Sequence, residues 1–174
     1  LVICAVIRLM SSGPAIFSQD RVGHLGRVFK VYKFRSLVAD ADRHLAERPE
    51  LLEWDGPIFR VRRDPRATAV GRVLRRFSLD ELPQLVNVLI GDMSLVGPRP
   101  HMVEEVARYE PWHHRRLVCR PGMTCLWQVA GRHDLAFDDW IRLDLRYIDN
   151  WSLRLDLMIL LKTVPVVVFG RGDY

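Results

Sequence analysis

A chain of 174 residues that is 49% apolar is long enough to build one domain around its own core, and too apolar to be disordered. Its formal net charge is +5, and every basic residue except Lys30, Lys33 and Lys162 is arginine, whose planar fork binds phosphate and carboxylate bidentately. Three scattered cysteines, Cys4, Cys119 and Cys125, exclude a disulfide framework or a cysteine-based zinc site and fit a reducing, cytoplasmic setting.

Leu1 to Ser11 reads as the end of an apolar helix, stopped by Ser-Ser-Gly-Pro at 11–14. The run is shorter than the ~20 residues of a spanning helix and lacks the basic leader of a signal peptide. The expectation is a chain cut inside a longer hydrophobic segment of a membrane protein. Residues 16–19 and 28–32 read as two short strands around a Gly23–Gly26 turn. Residues 37–47 have helical spacing, and 57–65 predict a loop or irregular strand, with exposed arginines from 60 to 66. Residues 68–76 and 80–90 predict helices, the second amphipathic through Leu82, Leu85, Val86 and Leu89. Residues 91–100 predict a loop, 101–109 a helix, Pro121-Gly122 a turn and 126–129 a short apolar strand. Helices over 137–150 and 153–169 close the chain, the last apolar on most sides. Trp140, Tyr147 and Trp151 have the ring-plus-polar-tip chemistry of a membrane interface, or are the core aromatics of ordinary buried helices. There is no internal repeat, low-complexity tract or second domain.

Chemistry concentrates in RRFSLDELPQLVNVLIGDMSLVGPRP, residues 75–100. Asp80 and Glu81 follow the basic pair Arg75-Arg76. Carboxylates beside arginines suit attack on a phosphate ester, the acids supplying a nucleophile and a metal ligand. The competing reading is a capping box, Ser78 with Glu81 three residues on, which is the commoner use of that pattern. Pro83 weakens it, because a helix capped at Ser78 would place the proline where an N–H is needed; a start near Leu82, with Pro83 at the first position, would leave the two acids projecting from the helix start toward the arginines upstream. Arg99, between two prolines in Gly-Pro-Arg-Pro, has limited backbone freedom, which helps to aim a guanidinium. Lys33 and Arg35 share a strand face in KVYKFRS. His101 with Glu104, and adjacent His113-His114, form no recognisable transition-metal pattern. Arg-Gly-Asp near the C-terminus is taken as chance.

The stretches GPAIFSQDRVGHLGRVFKVYKFRSL, DPRATAVGRVLRRFSLDELPQLVNVLIGDMSLVGPRP, RPGMTCLWQVAGR and DLRYIDNWSLRLDLMILLKTVPVV, in that order, resemble the bacterial sugar transferase family. These are the polyprenyl-phosphate hexose-1-phosphate transferases, or monotopic phosphoglycosyl transferases. The ending, a Trp-Ser helix running to GRGDY, is most similar to the large members that initiate exopolysaccharide or O-antigen synthesis. The resemblance implies transfer of a sugar-1-phosphate from a UDP-sugar to undecaprenyl phosphate, releasing UMP. It implies Asp80 as a nucleophile that forms an acyl phosphate, and Glu81 as the ligand of Mg²⁺. An aspartate of ordinary pKa is ionised at neutral pH and ready to attack, once cations mask the phosphates. By the same resemblance Lys33, Arg35 and Arg99 are candidates for phosphate or nucleotide binding; Arg75 and Arg76, just ahead of the acids, join them. Asp144 and Asp156 fall in the matching C-terminal stretch without an assigned role.

The expected architecture is α+β and helix-rich: a monotopic, membrane-associated catalytic domain with a small β-hairpin and amphipathic interfacial helices. Residues 1–12 would be the returning half of a re-entrant membrane helix, and residues 13–174 the catalytic domain on the cytoplasmic face of the bacterial inner membrane. The expected partners are the UDP-sugar, undecaprenyl phosphate and inner-membrane lipids, with no nucleic acid and with a homodimer left open. The alternative is a non-catalytic basic module that binds nucleic acid or anionic lipid.

Overall fold

The computed structural model describes residues 2–61, 64–130 and 135–169. In chain order these form α1 (Val2–Met10), β1 (Ile16–Val22), β2 (Val28–Phe34), α2 (Ala41–Ala46), β3 (Glu53–Asp55), β4 (Ile58–Arg60), α3 (Ala69–Arg76), α4 (Gln84–Leu89), β5 (Ser94–Val96), β6 (His101–Met102), α5 (Val103–Val106), β7 (Gly122–Thr124), α6 (Leu126–Val129), α7 (Phe137–Asp149) and α8 (Leu153–Val168). Tight 3-10 turns occupy Leu79–Glu81 and Pro111–Val118. The fold is α+β, with small sheets among many helices.

Strands β1 and β2 form the predicted hairpin, each running beyond its expected end. Their register sets Phe17 opposite Lys33 and Arg21 opposite Phe29, so one face carries Gln19, Arg21 and Lys33 together. Lys30 falls on the other face, 3.1 Å from Asp20. Two-residue β6 pairs with the free edge of β1, so the predicted helix from His101 begins as strand and keeps only a short helical turn, α5. The predicted strand at 126–129 is helix α6. The strand lies just upstream as β7, parallel to β5. That pairing brings Gly97 against Gly122: a Cβ on Gly122 would stand 2.1 Å from the Gly97 nitrogen, so the glycines of Gly-Pro-Arg-Pro and Arg-Pro-Gly-Met are what let the two segments touch.

Within the predicted helix at 80–90 the α-helix has its N-cap at Pro83, close to the alternative start near Leu82. Leu79–Glu81 is a 3-10 turn, and α4 begins only after Pro83, which has no N–H to donate. Its burial is inverted: Gln84 and Asn87 are inside, at 3% and 0% exposure, while Leu85, Val86 and Leu89 face out, Leu89 at 85%. The cause is the open edge of β2. Asn87 Oδ1 accepts from the Tyr32 N–H at 3.1 Å, and Asn87 Nδ2 donates to the Lys30 carbonyl at 2.7 Å. One amide thus replaces the missing neighbouring strand and ties α4 to the hairpin. Asn87→Leu would leave both backbone groups unsatisfied and is expected to cost about 3 kcal/mol, read as a lower denaturant midpoint at unchanged slope. A loss under about 0.5 kcal/mol would show that the edge is satisfied in another way.

The largest core cluster joins Ile58, Tyr109, Cys125, Trp127, Phe137, Trp140 and Ile141. Trp140 stacks on Trp127 with ring centroids 4.3 Å apart, and the Tyr147 hydroxyl donates to Asp156 at 2.7 Å. Trp140 and Tyr147 are therefore core residues, and only Trp151 of the three aromatics is exposed. Helix α8 buries Ile159 fully and leaves Leu153, Leu157, Leu161, Val164 and Val168 exposed along one side. Among the described residues no helix is long and apolar enough to cross a membrane. All three cysteines are unpaired.

Candidate active site

The acidic pair sits where α3 turns into α4. Thr68 caps α3, its hydroxyl accepting from the Gly71 N–H at 2.9 Å. At the other end Ser78 adopts a left-handed conformation, φ 51°, and its side chain makes no capping bond. The capping-box reading fails here, because the chain reverses at Ser78 and directs Glu81 toward the hairpin instead of toward a backbone amide. Glu81 Oε1 meets Lys33 Nζ from β2 at 3.0 Å and Arg99 Nη1 from the Gly-Pro-Arg-Pro loop at 3.0 Å. Segments 48 and 18 residues from Glu81 in sequence thus converge on one carboxylate.

Asp80 is only 8% exposed. It is not an aspartate of ordinary pKa: burial pushes its carboxyl up, Lys33 pulls it back, Glu81 adds to the rise, and Arg99 and Arg75 oppose it. For Glu81, burial opposes the charge most strongly, yet Arg99 and Lys33 together outweigh it and hold the carboxyl down at about 2. Two adjacent acids thus sit in different states of readiness, one firmly ionised and one dependent on its cations.

A cleft of about 1280 Å³ opens over the pair, and Lys33, Arg35, Arg75 and Arg99 all line it. Arg35 Nη1 donates to the Ser12 carbonyl at 2.6 Å and so ties the end of α1 to β2. Arg75 lies 3.4 Å from Asp64, which Arg66 holds at 2.8 Å. The Arg66 side chain is thus a largely buried partner and not one of the exposed arginines expected between 60 and 66; Arg62 and Arg63 lie outside the described residues. Arg76 points away from the cleft, exposed, with its guanidinium 5.5 Å from the Phe77 ring. Consecutive residues on a helix are about 100° apart, so only one of the Arg75-Arg76 pair can face the acids.

Asp144 and Asp156 are placed elsewhere. Asp144, 1% exposed, is paired to buried Arg116 at 2.7 Å, and Asp156 accepts from Tyr147 and from Trp151 Nε1. His101 pairs with Tyr109 rather than with Glu104; burial and then Arg116 push its pKa far down, so it is neutral. The Arg-Gly-Asp tripeptide and the GRGDY ending lie outside the described residues.

Sequence reasoning passed over Gln19 and Arg21, which line the same cleft. Arg21 is bonded to Gln19 Oε1 at 2.6 Å and to the Pro100 carbonyl at 3.1 Å. Burial and then Arg99 lower its pKa to about 10, so it stays charged at neutral pH. The signal was present: residues 17, 19 and 21 alternate onto the face of Lys33 once the hairpin register is known.

A divalent cation can be tested against these donors. No group of three or more ligating side chains occurs among the described residues. Mg²⁺ does not need one, since it takes one or two carboxylates and completes its shell with substrate phosphates and water. Glu81, ionised beside Asp80 in a basic cleft, fits that requirement.

The bacterial sugar transferase family model matches residues 1–170. The chain belongs to this family. Over 170 residues it is 48% identical to an undecaprenyl-phosphate galactose phosphotransferase of Salmonella typhimurium, covering 93% of this chain and 35% of that protein. It is 44% identical over 180 residues to the galactosyl transferase CpsE of Streptococcus agalactiae, covering 99% and 40% respectively. It is 40% identical over 178 residues to the exopolysaccharide production protein ExoY of Sinorhizobium fredii, covering 100% and 79%. This sugar transferase chain therefore spans well under half of two of these relatives and most of the third. The Asp80-Glu81 cleft lies wholly inside the matched segment.

Proposed function

We propose that the protein transfers a sugar-1-phosphate from a UDP-sugar to undecaprenyl phosphate at the cytoplasmic face of the bacterial inner membrane, as the membrane step that begins an exopolysaccharide or O-antigen chain. The observation that carries this reading is the buried Asp80 beside Glu81, whose carboxylate Lys33 and Arg99 both meet. An Asp80 oxygen attacks the β-phosphorus of the donor. The bond from that phosphorus to the bridging oxygen breaks, and its electron pair leaves with UMP. An oxygen of undecaprenyl phosphate then attacks the acyl phosphate at phosphorus. The aspartyl oxygen departs with its electrons, giving the lipid diphosphate sugar and restoring the carboxylate. Lys33 and Arg99 bind the diphosphate oxygens and stabilise charge as it develops. Arg35 and Arg75 extend the basic wall of the cleft toward the nucleotide. Glu81 would hold Mg²⁺, which supplies charge neutralisation at the diphosphate. One carboxylate that is nucleophile in the first step and leaving group in the second lets a water-soluble donor and a lipid acceptor share a single site.

The deciding experiment incubates the protein with Mg²⁺ and UDP-sugars labelled at the β-phosphate, without acceptor. Label that stays on the protein and is released by undecaprenyl phosphate supports both half-reactions. UMP release that occurs only with acceptor present, and no labelled protein, would reject the covalent step and keep the transfer. No UMP with any sugar of the panel would sink the reading.

The exposed apolar surface supports membrane attachment. Leu82, Leu85, Val86, Leu89 and Ile90 are exposed beside the acidic pair, and α1 exposes Val2, Leu9 and Met10. Residues 1–12 would then be membrane-inserted and residues 13–174 the domain resting on the surface. Leu85→Glu with Leu89→Glu replaces two of the outward leucines by charges, and is expected to lower the fraction that co-sediments with anionic vesicles, with α1 still holding part of the protein. Unchanged sedimentation would mean that α4 does not touch the bilayer.

A further inference from the structure

Arg99 reaches Glu81 from a Pro-Arg-Pro segment in which two prolines remove backbone N–H groups; the Pro98 carbonyl accepts from the Gly122 N–H of β7 at 3.0 Å, and the Arg99 and Pro100 carbonyls are left outside any strand ladder. Side chains satisfy them. Arg116 Nη2 donates to the Arg99 carbonyl at 2.7 Å, and Arg21 Nη1 donates to the Pro100 carbonyl at 3.1 Å. Arg116, on the 3-10 turn Pro111–Val118, is 2% exposed and has the Asp144 carboxylate of α7 at 3.0 and 2.7 Å from its Nε and Nη2. Its Nη1 donates to the Tyr109 hydroxyl at 2.8 Å, and that hydroxyl meets His101 Nδ1. One guanidinium thus joins a carboxylate, a hydroxyl and a loop carbonyl, a span that five donors in a rigid fork allow and an ammonium does not.

We propose that Arg116, anchored by Asp144, is the positioning residue for Arg99: it fixes the backbone of the loop so that the Arg99 guanidinium stands at the acidic pair. Arg116 is too deeply buried to meet a substrate and acts only through the loop. This deepens the transferase reading and rests on it, because Arg99 is there the group that binds the donor diphosphate.

The test is a double-mutant cycle on the protein in nanodiscs, with UDP affinity measured beside UMP release. Arg116→Lys keeps the charge and loses the span. It is expected to weaken UDP binding and lower kcat/KM by about tenfold or more. In an Arg99→Ala background the same change should alter neither by more than about twofold. Equal losses in both backgrounds would overturn the proposal, since a general loss of structure adds to the loss of Arg99 instead of vanishing with it. Wild-type values for Arg116→Lys would overturn it too. If Arg116→Lys does not fold, Tyr109→Phe removes only the hydroxyl partner and should show a smaller loss with the same dependence on Arg99; additive losses there count against the proposal. Wild-type protein that binds UDP but releases no UMP would sink the transfer reaction alone, with the cycle still read from UDP affinity. Wild-type protein that does not bind UDP would end both.

Discussion

Asp80→Asn is expected to lower turnover by roughly four orders of magnitude or more while leaving the melting temperature at pH 7 equal to or above that of the wild type. Asparagine fills the same space but has no anionic oxygen with which to carry out the proposed displacement of UMP. The stability side follows from the raised pKa. Between the ordinary 3.8 and the higher folded value, the folded state binds more protons than the unfolded chain, so stability falls as pH rises through that window. Above the folded pKa, ionised Asp80 is a standing cost that the neutral amide lacks, so any gain should be largest near neutral pH and vanish below pH 3.8. Labelled-phosphate trapping with thermal melts at two pH values checks both halves. Residual turnover above about one per cent, in a folded protein, would remove Asp80 from the nucleophile role. A protein that melts well below wild type would instead give the carboxylate a structural task.

Lys33→Met should cost about 10²–10³-fold in kcat/KM and also move the acid limb of the pH profile to higher pH. Burial raises the Asp80 pKa, and Lys33 is the strongest influence pulling it back. Without Lys33 the carboxyl holds its proton to higher pH, and the fraction ready to attack at a given pH falls. Glu81 keeps Arg99 and should stay ionised, so the displaced limb reports Asp80. The measurement is kcat/KM against pH for wild type and Lys33→Met, with Lys33→Arg as the charge-conserving control. A limb that stays put, or moves to lower pH, would mean that Lys33 binds substrate without setting the charge of Asp80.

Much of the candidate site is legible in the sequence, and particular residues show why the rest is not. Asp80, Glu81 and Arg99 stand out because an acidic pair followed by Gly-Pro-Arg-Pro is uncommon chemistry in a short span. Arg76 was indistinguishable from Arg75 in the same text, since neighbouring basic residues differ only in helix phase, which Thr68 sets from the far end of α3. Gln19 and Arg21 needed the hairpin register. Residues 126–129 misled because a short apolar run has no period that separates strand from helix. Trp140 and Tyr147 have polar tips that suit either an interface or a satisfied core, and only their partners decide.

Local chemistry alone determined the α+β class, the hairpin, the closing helices and the family, because these rest on alternation, helical period and motif order, all written along the chain. The tertiary structure decided which reading of Ser78–Glu81 holds, since a capping box and a carboxylate aimed at two cations share one local sequence. It also decided that α4 faces inward with its amides, because the open edge of β2 needs hydrogen bonds that leucine cannot make. Pairing across 48 and 18 residues brings Lys33 and Arg99 to one carboxylate, and no local pattern encodes a contact whose geometry depends on how separate segments pack.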